Sequence, residues 1–476
     1  MTEATVQAEV NEENKDSFKN LIAIKHYRLL IAGQFVSTLG DGVYALSLIW
    51  AMKLLSGSAL FMSLVLTAEV IPTIIFGIFA GVLVDRGNQK RFMMMADIFR
   101  GLVVLAIVIL FWLNMLLPWM LIAAAAVASS FDAFFSPAKS VAIRTIVPDH
   151  LMTRAQSLSS TIQTVVGLAS PALAGVLLVF SVPTAFLFNA FSFFVSFFFI
   201  LFIKEKSLVE KPSNKLNKKS FSHDLKTGLK TIITVPIIRG MIIYLILINF
   251  MLAPVAVIFP LFVDNASQLA MVEIAFFIGI FIGSITINLF SKFRKIVPMI
   301  TGLCLMLGAF GILAFCDNFV EVLILIALAG IGSPLASIAL QSLFLVKVPR
   351  ELLGRSQSTM RVLLESSKPV SLLLTGTLLV HFSIHHLFLG IAIFGGAVVL
   401  LMILNPVIRK DNRLKVRKLV KGNSVSVMRT TKKGRRWHEN PPSFLLSHLQ
   451  FLSIPPHHLI TLLRCFLQKA ITNQRS

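Results

Sequence analysis

The sequence predicts an all-α membrane protein, with twelve transmembrane helices arranged as two pseudo-symmetric six-helix bundles. Three observations carry that expectation. Apolar residues make up 56% of the 476 and charged residues only 14%, against roughly 25% charged in soluble domains. The apolar residues collect into twelve runs of membrane-spanning length, and a short pattern recurs once at an offset of 201 residues. A soluble protein would have to hide 40 Phe behind too little polar surface, so the excess faces lipid.

A helix needs about 20 residues to cross a hydrocarbon core of about 30 Å, and only helices or closed barrels satisfy their backbone there. Barrel-type alternation is absent from the sequence. Runs between polar breaks place spans at 29–52, 59–84, 92–113, 116–143, 157–181, 184–203, 238–262, 270–290, 296–316, 319–346, 357–381 and 386–408. The acidic, polar start MTEATVQAEVNEENKDSF has neither the basic opening nor the short apolar core of a secretory signal.

Twelve crossings divide the connections into two sets. One holds DRGNQKR (85–91), the stretch from Arg144 to Arg154, the segment 204–236, SKFRK (291–295), KVPRELLGR (347–355) and both termini. The other holds LSGS, NMLLP, FSVP, DNASQ, CDN and HFSIHH, with Lys53 as its single nearby base. The positive-inside rule puts the basic set in the cytoplasm, so the expected setting is a bacterial inner membrane with both termini inside. Residues 1–28 then form a cytoplasmic segment, 29–203 the first bundle, 204–237 a basic linker, 238–408 the second bundle and 409–476 a tail.

Repetition relates the bundles. Val147-Pro148-x-x-Leu151-x-x-Arg154-x-Gln156-Ser157 matches Val348-Pro349-x-x-Leu352-x-x-Arg355-x-Gln357-Ser358, and Gly175 and Gly376 keep the same offset. The halves are therefore expected to be parallel copies, the arrangement of the major facilitator fold, whose substrate site lies near the midplane between them.

The connection after span two reads Gly77-x-x-x-Gly81-Val82-Leu83-Val84-Asp85-Arg86-Gly87-Asn88-Gln89-Lys90-Arg91. It resembles the signature loop of major facilitator transporters. Glycines a turn apart let helices approach, and a carboxylate beside arginines at the membrane face can latch one conformation. The resemblance implies that Asp85 locks the outward-facing state against Arg144. Asn88 and Gln89 depart from the common pattern, and the asparagine form is similar to the branch containing macrolide efflux proteins and the enterobactin exporter. That likeness extends to Gly40-Asp41 with Trp50, Asp97-x-x-Arg100, Pro137-Ala138 and Ser170-Pro171-Ala172-x-x-Gly175, over roughly residues 20 to 405. The second half keeps Gly279-x-x-x-Gly283 but has only SKFRK where the acidic latch would stand, so its gate must differ. A plain positive-inside loop is the alternative for DRGNQKR.

Ionisable groups inside a bilayer cost at least about 2.5 kcal/mol on insertion scales and are functional candidates by default. Asp41 lies about 18 Å from the cytoplasmic end at 1.5 Å per residue, close to the midplane. Glu69 and Asp132 reach similar depth. Asp41 and Glu69 have no basic neighbour in sequence, and one or both are candidates to bind a driving proton; a carboxyl merely hydrogen-bonded to the next helix is the alternative. Arg361, Glu365 and Lys368 share one face of span eleven and can neutralise one another. Asp97 and Arg100 sit nearer the cytoplasmic end, where an intrahelical pair or a latch contact is expected. Phe35, Trp50 and Phe131 are candidates for an apolar substrate wall.

No phosphate-binding loop ending in Gly-Lys-Ser/Thr occurs, which disfavours direct use of ATP. Neither the histidines nor Cys304, Cys316 and Cys465 have metal-ligand spacing, and the cysteines are expected to be packing residues. The expectation is a non-enzymatic secondary exporter without cofactor, metal or nucleic-acid partner. It would act as a monomer in the lipid bilayer, exchanging protons for a small amphipathic molecule such as a macrolide-like drug, a siderophore or another metabolite. Import on the same fold, or service as a lipid scramblase or receptor, remains the alternative. The tail holds fifteen Lys and Arg against Asp411 and Glu439. Its first part suits anionic lipid, at about 1 kcal/mol per base. The rest, with Pro455-Pro456 interrupting short apolar stretches, matches no pattern of the family and is expected to be dispensable, as a non-native extension would be.

Overall fold

The computed structural model describes residues 18–84, 87–204, 234, 236–290, 296–347, 359–360 and 362–406. All of them precede the boundary after Arg413 at which the chain divides. Among the described residues the regular structure is entirely helical. After a short helix, Phe18–Ala23, span one runs Lys25–Ser56, span two Ala59–Val84, span three Gln89–Trp112, span four Pro118–Ile146, span five Met152–Phe180 and span six Val182–Leu201. Span seven is Pro236–Leu252 continued by Val255–Phe262, span eight Ala266–Thr286, span nine Ile296–Leu313, span ten Phe319–Lys347, span eleven Ser367–Leu378 and span twelve Ile384–Leu404.

Eleven of these helices are long and apolar enough to cross a membrane. Span eleven is the exception to the expected twelve. Its described residues from 359 are helical up to a turn at Ser366, where Glu365 and Lys368 pair at 2.8 Å. Its described helix, Ser367–Leu378, is 12 residues long, short of the about 20 residues that a crossing needs. Span seven breaks at Ala253-Pro254, since proline supplies no backbone N–H to continue the ladder.

The ends follow the capping residues. Gly57 takes a left-handed φ of 59° and donates its backbone N–H to the carbonyl of Lys53, closing span one. Ser181, Asn265 and Ser383 open spans six, eight and twelve by accepting backbone N–H groups of the first turn. Pro118 occupies the first turn of span four, where its missing donor costs nothing.

Packing repeats between the halves. Span one packs on spans five and six, two on four, and three on four and six. Adding six to each number gives the contacts of the second half: seven on eleven and twelve, eight on ten, nine on ten and twelve. The two strongest joins between the halves, span two with span eleven and span five with span eight, are also exchanged by that shift. Gly376 and Gly175, found in sequence at one offset, sit in those two joins. A Cβ on Gly376 would lie 2.5 Å from Ser63 Oγ, and one on Gly175 would lie 2.7 Å from Ala270 Cβ. Both contacts fall near the end bearing the neutral loops, hereafter the neutral face; the opposite end is the basic face.

Lys53 joins the halves at the same level. Its Nζ donates to the carbonyl of Val263, the residue that ends span seven, at 2.5 Å, and lies 4.7 Å from the centroid of the Trp50 ring. One apolar core runs through both halves, including Met62, Val65, Leu178, Leu269 and Leu372. A second core, with Leu21, Tyr27, Met93 and Ile200, belongs to the basic end of the first half alone. Phe180, Leu289 and Phe315 are about three-quarters exposed, at 76%, 75% and 76%, as side chains facing hydrocarbon can be without loss. Cys304 is exposed too, which corrects the expectation that it packs inside; Cys465 lies outside the described residues.

Candidate functional site

Glycine brings the first acid into place. Gly40 and Gly42 flank Asp41, and a Cβ at either would meet Ser192 Oγ of span six at 2.0 Å or Ser170 Oγ of span five at 2.2 Å. Only a bare backbone lets span one pass that close to both neighbours. Asp41 is thereby presented to spans three and four, where the other charges stand.

Arg100 is the centre of the group. Its Nη2 donates to Asp97 Oδ1 at 3.0 Å and its Nη1 to Asp132 Oδ1 at 2.9 Å, while Asp41 Oδ1 stands 3.7 Å from Nη1. The guanidinium also lies 4.3 Å from the ring centroid of Phe193 and 4.9 Å from that of Phe135, within range of cation–π attraction. The Arg100 side chain is 4% exposed and that of Asp97 fully buried, whereas those of Asp41 and Asp132 are 43% and 46% exposed. These two, with Glu69, Tyr44, Asn189 and Arg100, line a cavity of about 250 Å³.

Sequence reasoning located the acids but misjudged their company. Asp41 and Asp132 were expected as separate carboxylates, and Arg100 as the partner of Asp97 near the membrane edge. Instead Arg100 joins all three, because spans one, three and four converge on it. Lys139, two turns beyond Asp132 on span four, is close enough to act electrostatically on Asp132 and Asp41. The neighbourhood thus sets four acids, Glu69 included, against two bases. Burying such a surplus of one sign of charge is costly. Asn189 was missed altogether. Among the described residues neither side-chain atom of this fully buried amide has a partner, nor has the Tyr44 hydroxyl. A lone Asn in the apolar run 182–201 was the available signal.

The expected apolar wall is elsewhere. Trp50 is buried beneath Lys53 at the neutral face and Phe131 stacks on Phe99 at 4.6 Å. Neither of them, nor Phe35, lines the cavity, where Tyr44 and Phe193 supply the aromatic surface. In span eleven Glu365 is tied to Lys368, as expected; Arg361 lies outside the described residues.

Asp85 and Arg86 also lie outside them, so the expected latch to Arg144, which is exposed, stands as it did. What the loop does display is mutual capping. Asn88 Oδ1 accepts the Arg91 N–H and caps span three, Gln89 Nε2 donates to the Val84 carbonyl that ends span two, and Lys90 Nζ donates to the carbonyls of Leu201 and Ile203 at the end of span six. Cations suit such carbonyl-rich ends. Among the described residues Gly77 makes no close approach, for a Cβ on it would meet nothing of theirs within 4 Å. Gly81 continues the same helix. Gly279 and Gly283 do make one, against the backbone of span ten, where a Cβ would stand 2.1 Å from the Ala327 carbonyl oxygen and 2.4 Å from that of Ile331.

A second cavity, about 430 Å³, opens within the other half, between spans seven, eight, nine and ten. Its wall is apolar apart from Glu273, Asn249, Ser333 and Ser337. Glu273 too was overlooked, although an acid within the apolar run 270–290 was visible.

Two half-bundles sharing one contact scheme, each with its own cavity, match a profile of the Major Facilitator Superfamily over residues 30–367. The chain belongs to the major facilitator superfamily. Among curated superfamily relatives, it is 24% identical over 393 residues to macrolide efflux protein A of Streptococcus pyogenes, covering 80% of this chain and 96% of that one. It is 23% identical over 379 residues to the multidrug efflux pump Tap of Mycolicibacterium fortuitum, covering 77% and 92% respectively. A bacterial homologue of the iron transporter ferroportin, solved in an inward-facing state, superposes with a TM-score of 0.63 at 15% identity, covering 82% of this chain and 98% of its own. That last likeness concerns the fold. As a superfamily member the protein is a multi-pass membrane transporter of small molecules, and not an enzyme.

Proposed function

We propose that this transporter exports a small amphipathic molecule across the bacterial plasma membrane by proton antiport, with the basic face in the cytoplasm. The observation that carries the reading is the group around Arg100: four acids and two bases, in or beside one cavity at mid-membrane depth. One arginine cannot hold three carboxylates equally. A proton arriving on Asp41 or Asp132 weakens that carboxylate's hold and leaves Arg100 to the others, so proton entry can be felt on spans one, three and four together. Glu69 shares the cavity and is the second proton candidate.

Alternating access follows from the way the halves meet. Their described joins run from mid-depth, where a Cβ on Gly167 would lie 2.4 Å from the Phe277 ring, to the neutral face, through Lys53, Gly175 and Gly376, an arrangement that suits loading from the basic face. Export as the direction is supported by the likeness to efflux proteins, and a macrolide-like compound, a siderophore or another metabolite fits as cargo.

Purified protein in liposomes, with an imposed pH gradient and a panel of macrolides, dyes and siderophores, tests this. Efflux should follow the gradient, and Asp41→Asn or Glu69→Gln should lower it at least tenfold while leaving substrate exchange without a gradient. Full gradient-driven efflux in both variants would remove these acids from coupling. Movement of lipid alone, independent of protons, would turn the reading to a scramblase.

A further inference from the structure

Glu273 lies two turns into span eight and lines the second-half cavity. No described side chain forms an ion pair or hydrogen bond with it, unlike Asp97, Asp132 and Glu365, each of which has a base within 3.0 Å. The rest of the lining is matched to a positive guest. Asn249 Nδ2 is taken by the carbonyl of Leu245 at 3.0 Å, which leaves Oδ1 as an acceptor at the wall. Ser333 and Ser337 add hydroxyls, and the lining contains no Lys, Arg or His. Around these few polar atoms stand Phe259, Phe276 and Phe310, with Met299 and Met306. Aromatic faces attract cations, and thioethers are polarizable and adapt to irregular shapes. A volume of about 430 Å³ is of the size that holds drug-like ligands, about 300–1,000 Å³.

We propose that this cavity binds a lipophilic monocation, its charge set against Glu273 and its apolar body held among the phenylalanines and methionines. The assignment rests on the transport reading above for its purpose, though the binding itself does not. It divides the labour between the halves, with proton traffic around Arg100 and the cation of the cargo in the second-half cavity. An unpaired carboxylate in hydrocarbon is costly, and a cationic guest removes that cost on entering. Anionic molecules of the same shape are correspondingly refused.

Tetraphenylphosphonium and tetraphenylborate share shape and differ in the sign of charge. Equilibrium dialysis of each against the purified full chain in detergent should show saturable binding of the phosphonium and none of the borate. Glu273→Gln should weaken phosphonium binding at least tenfold, Glu273→Asp less, and Ser337→Phe should reduce it by filling the cavity without touching the charge. Glu321→Gln, at the exposed neutral end of span ten, should leave it unchanged, and monodisperse elution of each variant shows that it is folded. Unaltered phosphonium affinity in Glu273→Gln overturns the proposal, as does a loss seen with Asp41→Asn while Glu273→Gln binds normally, because the cation would then belong to the first half. Binding that depends on Glu273 without gradient-driven efflux in liposomes would keep the site and remove the export reading.

Discussion

Arg100 holds its place through several weak claims. It is buried at mid-depth on span three, faces two aromatic rings, and hydrogen-bonds to Asp97 and Asp132 with Asp41 just beyond. Removing it would strand the fully buried Asp97 without its counter-charge, and breaking a buried pair from one side costs about 3–5 kcal/mol. Arg100→Met should therefore melt well below the wild type in detergent. Adding Asp97→Asn should restore much of the loss, and no recovery in the double variant would show that the arginine stabilises through something other than this pair. The Asp97–Arg100 spacing was legible in the sequence, since residues three apart share a helix face. Its extension to Asp41 and Asp132 was not, because it depends on how closely span one can pass spans five and six, and that is set by Gly40 and Gly42 meeting serines 128 and more residues away.

Helices and their ends show which contacts the present arrangement uses and which it holds in reserve. Gly77 meets nothing among the described residues, while Gly376 lies against span two near the neutral face. Gly77→Leu should leave the stability of this arrangement unchanged, whereas Gly376→Leu should force span two from span eleven and raise the reactivity of cysteines introduced at the neutral ends of spans one and seven. Equal effects of the two substitutions on that labelling would contradict the assignment of the joins. Lys53 belongs with Gly376 in this scheme. Its ammonium closes the end of span seven across the halves, and Lys53→Met should raise neutral-face labelling in the same direction, measured with the same introduced cysteines. The lone base on the otherwise neutral side was visible in the sequence as an exception to the charge pattern. Its reason lies at the end of span seven, where the Val263 carbonyl is among those a helix end leaves without an intrahelical donor.

Across the whole molecule, most of the architecture could be read from hydropathy and the repeat. Span limits fall within a few residues of the expected ones, apart from span eleven, where Glu365, Ser366 and Lys368 interrupt the helix and the apolar run together. The second-half cavity was not readable, because nothing in the periodicity of spans seven to ten says that they leave a void, and Glu273 by itself looks like one more isolated acid. The tail lies outside the described residues, so its dispensability stands as an expectation: a chain lacking 420–476 should insert and export like the full one, tested in the same liposome assay.

The paired joins at Gly175 and Gly376 carry a mechanical consequence. They are exchanged by the same shift that exchanges the halves, so they stand as matched bearings on either side of one axis. A tilt about a line that passes through both joins would disturb the two alike, which is the hinge-like freedom their symmetry favours. A methyl group added at either glycine would bear on that shared tilt, along which the two ends of the transporter exchange access in step.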